Sequence, residues 1–144
     1  GDGWILLLDD DDMNGTELLL LLRELCKKYR TLFKTMIEPY LENKIDKVGI
    51  SFGADIGTLV RTIMQGKIEY IGRALNVAGR LQTAIKDKDA NPQNKILMTK
   101  NIYSTIAIDE DDEFEVEDVT RSLRNISEGK SFQCKKVALL PRNK

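Results

Sequence analysis

An asparagine and an arginine four residues apart, Asn76 and Arg80, are the pair in this chain best suited to chemistry. On a helix this spacing places both side chains on one face, one turn apart. Gly72, just before them, relaxes the backbone or lets a ligand approach closely. The positions between and behind the pair are apolar and form the expected buried side: Ala74, Leu75, Val77, Ala78 and Leu81. Two interpretations stay open: a core helix whose polar pair faces water, or a helix that presents the pair to a ligand.

Composition narrows the classes of function. The chain has 144 residues and a net charge of −1, which fits one domain, 1–144, with no general attraction to nucleic acid or anionic membranes. It has no histidine, which removes histidine acid–base catalysis, histidine-dependent nucleophiles and histidine-ligated zinc. Cys26 and Cys134 form no disulfide framework, so we expect a cytoplasmic protein. The longest apolar run, 18–22, is too short to span a bilayer.

The patterning predicts the order β–α–β–β–α–β followed by a further strand. Predicted strands are 4–8, 47–52, 58–64, 96–99 and 132–140, with a short strand or edge at 122–126. Asn14 and Glu17 have the spacing of a capping box that starts a long helix, and further helices are predicted at 72–86 and 101–106. The acidic segment 109–118 is expected to be solvated. This order predicts an α+β fold, ferredoxin-like in outline, with a mixed or antiparallel sheet and helices packed on one face.

Three segments in sequence order resemble the catalytic domain of class III nucleotide cyclases. Residues 1–8 (GDGWILLL) are similar to the second metal-aspartate hairpin of that family, and 47–57 (KVGISFGADIG) resemble its R-x-G-I-x-x-G strand and turn. Residues 70–81 (YIGRALNVAGRL) resemble its Y-x-G-x-x-V-N-x-A-x-R-L helix. The resemblance covers essentially the whole chain. It implies that the N-terminal strand and helices of the family domain, with the first metal aspartate, are absent from this sequence.

The resemblance implies an enzyme that converts a nucleoside triphosphate into a 3′,5′-cyclic nucleoside monophosphate and pyrophosphate. By the family pattern, Asp2 is a ligand of two Mg²⁺ or Mn²⁺ ions per site, and Asn76 orients the ribose. Arg80 is the cation that stabilises the transition state, and Lys130 binds the triphosphate. In the family, the metal carboxylates and the Asn–Arg pair come from opposite protomers, so a homodimer with sites at its interface is expected.

Glu69 occupies the position at which adenylyl cyclases often carry Asp and guanylyl cyclases often carry Cys. A carboxylate can accept a hydrogen bond from the amino group of adenine or cytosine, whereas guanine and uracil need a donor at their carbonyl. The base therefore stays open between a purine and a pyrimidine. Residues 71–82 (IGRALNVAGRLQ) are also similar to bacterial anti-phage cyclases that make cyclic pyrimidine nucleotides.

Two alternatives remain beside an active cyclase. One is a catalytically inactive cyclase-like domain that binds nucleotide or mediates dimerisation. The other is an unrelated α+β interaction module, in which Asn76 and Arg80 are merely surface residues.

Overall fold

The computed structural model describes residues 3–9, 11–107, 114–128 and 130–141. The helices are α1 (Gly15–Leu32), which continues through a π-helical turn (Phe33–Ile37) and a 3-10 turn (Glu38–Tyr40), α2 (Arg73–Ala84) and α3 (Lys100–Tyr103). The strands are β1 (Ser51–Ala54), β2 (Val60–Met64), β3 (Lys67–Ile71), β4 (Lys95–Thr99), β5 (Glu115–Arg121) and β6 (Phe132–Ala138).

Four of these strands form one mixed sheet in the order β1-β4-β6-β5. β1 and β4 are parallel, whereas β6 runs antiparallel to both of its neighbours. Parallel strands need a long crossover connection, and here it carries the β2–β3 hairpin and α2. The prediction of an α+β fold with a mixed sheet is confirmed at this level.

α1 and α2 pack on opposite faces of the sheet. Ile96 and Met98 of β4 belong to the core cluster that contains residues of α1, whereas Leu97 belongs to the cluster that contains residues of α2. Successive strand residues point to opposite faces, so the two helices cover both sides of β4. The prediction of helices on one face is therefore wrong. The unbroken apolar run at 96–98 is the pattern of a strand buried on both faces, and it should have excluded a one-sided arrangement.

The start of α1 has the predicted capping box. Asn14 Oδ1 accepts a hydrogen bond from the backbone N–H of Glu17 at 3.0 Å, and the Asn14 N–H donates to Glu17 Oε2 at 2.9 Å. Leu19, Leu22 and Cys26 bury one face of the helix against the sheet. Burial raises the pKa of the Cys26 thiol to about 11, so this cysteine is a core residue rather than a nucleophile.

Several predicted elements differ from the structure. The strand predicted at 47–52 begins only at Ser51, as β1 (Ser51–Ala54). Residues 4–8 form no regular strand and are exposed, and 122–126 form a turn. β5 begins at Glu115, inside the predicted acidic segment; Glu115, Glu117 and Asp118 are exposed, as expected, but they belong to a strand. Residues 109–113 of that segment lie outside the described part of the chain. The acidic residues of β5 are accommodated by lysines on β6. Lys136 Nζ lies 2.8 Å from Glu117 Oε2, and Lys135 Nζ lies 2.8 Å from Asp118 Oδ2.

The β2–β3 hairpin closes through a two-residue turn. Gln65 and Gly66 have φ values of 51° and 77°, the positive pair of a type I′ turn. Met64 pairs with Lys67 across that turn, and Val60 pairs with Ile71 at the other end of the hairpin. β3 ends at Ile71, and α2 begins two residues later at Arg73, so the hairpin is connected directly to this helix.

Candidate functional site

The predicted polar pair lies on the exposed face of α2. Ala74 and Leu81 are buried on the opposite face, as expected, whereas Asn76 and Arg80 are exposed. Residues at this spacing have Cβ atoms roughly 5–6 Å apart. Within the described residues, neither side chain has a hydrogen bond or an ion pair. An amide and a guanidinium are thus presented side by side on a helix whose other face is fixed in the core.

The close packing of α2 on β1 depends on Gly53. A Cβ atom at this position would collide with the carbonyl oxygen of Ala78 and the backbone nitrogen of Gln82. Only glycine therefore allows this approach between helix and strand. Gly79, between Asn76 and Arg80, has open space around its Cα instead, so packing within the described chain does not require a glycine there.

A buried arginine that the sequence analysis missed fixes the other end of α2. Arg121, on β5, is only 7% exposed, and its Nε–H donates to the carbonyl oxygen of Ala84 at 3.0 Å. Ala84 is the last residue of α2, where backbone carbonyls lack partners within the helix. Nothing in the sequence distinguishes this arginine from an exposed one. Its role depends on the sheet order, which brings the end of β5 to the end of α2.

Glu69 lies on β3 and is exposed, opposite Thr62 of β2. The hairpin that carries it has apolar side chains on both of its faces, and these are 42% to 70% exposed: Val60, Ile63, Met64, Ile68, Tyr70 and Ile71. No hydrogen bond or ion pair joins Glu69 to Asn76 or Arg80 in the described chain. The Glu69 carboxylate, which is predicted to contact the base, therefore lies on an exposed apolar surface, on the strand that immediately precedes α2.

Lys130 lies in the turn before β6 and is exposed. Its backbone N–H donates to the carbonyl oxygen of Ser127 at 2.7 Å. Because β6 is antiparallel to β4, this turn is at the carboxyl end of β4, the same end of the sheet at which α2 begins. The structure gives Lys130 a place at that end but no contact with Asn76 or Arg80.

The metal prediction is not tested by the described residues. Asp2, the predicted ligand, lies outside them. Across 3–9, 11–107, 114–128 and 130–141, no group of three or more acidic, cysteine or histidine side chains is arranged to hold a metal ion. Mg²⁺ and Mn²⁺ bind through carboxylates, so the two ions expected at the site stay a prediction about Asp2 and further ligands.

No protein-family model matches the chain, and no curated protein or solved structure matches it either. Among the described residues, no helix combines the length and the apolar character needed to cross a membrane. Function therefore has to be inferred from the residues themselves.

Proposed function

We propose that this chain is a class III nucleotide cyclase domain that converts a nucleoside triphosphate into a 3′,5′-cyclic nucleoside monophosphate and pyrophosphate. One observation carries the proposal. Asn76 and Arg80 are exposed, unpartnered within the described residues and one turn apart on α2, the spacing at which the resemblance requires an amide and a cation. The product would be a second messenger.

The chemistry explains why these two groups are needed. The 3′-hydroxyl attacks the α-phosphate in line and pyrophosphate leaves, so negative charge develops on the phosphoryl oxygens. The Arg80 guanidinium, permanently charged and fork-shaped, stabilises that charge. The Asn76 amide hydrogen-bonds the ribose and holds the 3′-hydroxyl in line. When bound, two Mg²⁺ or Mn²⁺ ions would activate the hydroxyl and neutralise the leaving group, with Asp2 among their ligands.

The β2–β3 hairpin supports the homodimer that the proposal requires. Its apolar side chains are exposed on both faces, and soluble monomers rarely leave a contiguous apolar patch of this kind uncovered. A partner protomer that covers the hairpin would lie next to the exposed face of α2, because β3 immediately precedes that helix in the chain. Glu69 would then lie at the edge of the interface, within reach of a base held by the partner.

The Glu69 carboxylate favours a base with an exocyclic amino group. It accepts hydrogen bonds but donates none, so adenine and cytosine suit it and guanine and uracil do not. Cytosine would agree with the similarity of 71–82 to bacterial anti-phage pyrimidine cyclases. Replacing Glu69 by Gln, which adds a donor, should shift the preference towards guanine or uracil.

Turnover can be tested with each of the four nucleotides. The full-length protein is incubated separately with ATP, GTP, CTP and UTP plus Mn²⁺ or Mg²⁺, and the cyclic product and pyrophosphate are quantified by chromatography and mass spectrometry. Similar product formation by the wild type and R30A, with formation by R80A lower by roughly 10²- to 10³-fold, supports the proposal. Arg30 is a suitable control because it is an exposed arginine on α1, on the other face of the sheet.

Other outcomes identify the alternatives. Nucleotide binding without product, from a folded dimer, indicates an inactive cyclase-like domain. No binding by either the wild type or an N76A/R80A double variant indicates an unrelated interaction module.

A further inference from the structure

A cleft of about 260 Å³ opens where the carboxyl ends of β1 and β4 meet the start of α2. In sheets with parallel strands, ligands bind beyond the carboxyl ends of those strands. The walls come from the turn after β1, the first residue of α2, the end of β4 with α3, and the start of β6. The polar side chains that line it are Asp55, Arg73, Thr99, Lys100, Asn101 and Gln133.

Two cations converge on this cleft. Lys100 Nζ donates to Gln133 Oε1 at 2.5 Å, which holds the ammonium group at the wall. Arg73 is exposed and forms no ion pair within the part of the chain that the structure describes. A guanidinium without a carboxylate partner that lines the same cavity as an ammonium group favours an anionic ligand.

One carboxylate also lines the cleft, and its position is defined. Thr99 Oγ1 donates to Asp55 Oδ1 at 2.7 Å, which ties the end of β4 to the turn after β1. One carboxylate oxygen is therefore engaged within the wall. The lining still carries two positive charges against one negative charge, so its net charge is positive.

We propose that this cleft binds a phosphate group, either free or as the monoester of a small metabolite. Arg73 supplies a bidentate contact, Lys100 a point charge, and Asn101 an amide donor. The cavity lies below the range of about 300–1,000 Å³ typical of drug-sized ligands, which favours a small one. The site does not depend on cyclase activity. Arg73 precedes Asn76 by three positions on α2, and neither Asn76 nor Arg80 lines the cleft.

The experiment measures phosphate binding to the full-length protein at constant ionic strength. Inorganic phosphate and ribose 5-phosphate are titrated separately, with chloride as the background anion, and backbone ¹H–¹⁵N shifts at 73, 99 and 100 are followed. We expect saturable shifts at these positions. R73Q should weaken binding roughly tenfold or more, the usual loss when a charged hydrogen-bond donor is removed. R73K, which keeps the charge but loses the fork, should weaken it less.

One variant and one control test the sign and place of the interaction. D55N keeps an acceptor for Thr99 but removes the negative charge, so it should tighten phosphate binding by roughly 2- to 5-fold. R30Q removes an arginine that lines a separate basic groove on α1 with Lys27 and Lys34, and it should have no effect.

Several results would overturn the proposal. These are no saturable shift with either probe at millimolar concentration, a loss of binding in R30Q but not in R73Q, or weaker binding in D55N. If both probes bind equally, the ligand is free phosphate; tighter binding of ribose 5-phosphate identifies a phosphomonoester. Cyclase activity is not part of the readout, so a failure here leaves the proposed function standing.

Discussion

The Nε–H of Arg121 donates to the carbonyl oxygen of Ala84 at 3.0 Å, and this hydrogen bond joins the end of β5 to the last residue of α2. A second donor of the same guanidinium, Nη1, binds the Thr120 carbonyl oxygen at 2.9 Å. The Ala84 oxygen also accepts the backbone N–H of Asp87 at 3.1 Å, so Arg121 adds a second, charged donor and a favourable interaction with the helix dipole at this end of α2. The helix that presents Asn76 and Arg80 is therefore held in place by β5, a strand that comes after β4 and α3 in the chain.

Removing that anchor should destabilise the fold. Arg121→Met keeps much of the side-chain volume but removes the charged donors to the carbonyl oxygens of Ala84 and Thr120, so Ala84 keeps only the N–H of Asp87. We expect the free energy of unfolding to fall by about 1–3 kcal/mol, measured by urea denaturation. Arg124→Met, at an exposed position in the following turn, should change it by less than about 0.5 kcal/mol. Equal effects of the two variants would argue against a role for Arg121 in holding α2.

Replacing the polar pair should affect activity but not stability. R80A should lower kcat/KM by roughly 10²- to 10³-fold, the effect of losing one donor to developing charge. R80K keeps the charge but not the fork, so its activity should lie between those of R80A and the wild type. Both Asn76 and Arg80 are exposed, so the urea midpoints should not move. A parallel loss of activity and stability would instead indicate a structural role.

Two glycines near the site should respond in opposite directions to alanine. Gly53→Ala places a Cβ against the backbone of Ala78 and Gln82 and should lower the free energy of unfolding by about 2 kcal/mol or more. Gly79→Ala enters open space on α2 and should raise it by about 0.5–1 kcal/mol, through helix propensity. Thermal unfolding followed by circular dichroism measures both. A stabilising Gly53→Ala would contradict the close approach of β1 and α2.

The ion cluster around Asp89 should make stability depend on pH. Lys95 Nζ lies 2.7 Å from Asp89 Oδ2, and the Asn91 N–H donates to Oδ1 at 2.9 Å. Burial raises the pKa of Asp89, but the hydrogen bonds from Lys95 and Asn91 and the charges of Lys95 and Lys136 outweigh it, so the pKa lies below the ordinary 3.8. Because the folded pKa is the lower one, the contribution is complete above about pH 4–5 and is lost as pH falls through the folded pKa.

The corresponding variant is Asp89→Asn. Its free energy of unfolding should be about 1–3 kcal/mol lower than that of the wild type at pH 7, and the difference should shrink below pH 4. Urea denaturation across pH 3–7 measures this. Asp87→Asn, at an exposed carboxylate two residues away, is the control. A difference that stays constant down to pH 3 would exclude ionisation of Asp89 as its source.

The proposed dimer should depend on the β2–β3 hairpin. Ile63 and Ile68 pair across the two strands and are 70% and 53% exposed. Glutamate at both positions would place negative charge in the apolar contact that the proposed dimer buries. The double variant should therefore be monomeric by light scattering at concentrations at which the wild type is a dimer. Leu32→Glu, at a position 53% exposed on α1, should remain dimeric. A monomeric wild type would contradict the proposal that two protomers share each active site.

Local signals in the sequence predicted the site helix well. The apolar spacing around Asn76 placed α2 within about two residues of its observed ends, and the Asn14 capping box was correct because both depend only on neighbours in sequence. The role of Arg121 and the cleft at Arg73 could not be predicted, because each depends on which strands are adjacent. β5 was missed for the same reason: its carboxylates are compensated by lysines about 17 positions later, across a strand pairing that composition does not reveal.

The parallel pairing of β1 with β4 also sets the order in which this chain can assemble. Asp55 and Thr99, which meet at the ends of these strands, are separated by 44 positions. The β2–β3 hairpin and α2 lie between them, and such elements form from local contacts within microseconds. β4, which packs on α2 through Leu97, must first be synthesised. At about 5–20 residues per second, a ribosome adds the 15 residues from the end of α2 at Ala84 to the end of β4 at Thr99 in roughly 1–3 seconds. During that interval the nascent chain carries an apolar hairpin and the uncovered inner face of α2, the surfaces that chaperones bind.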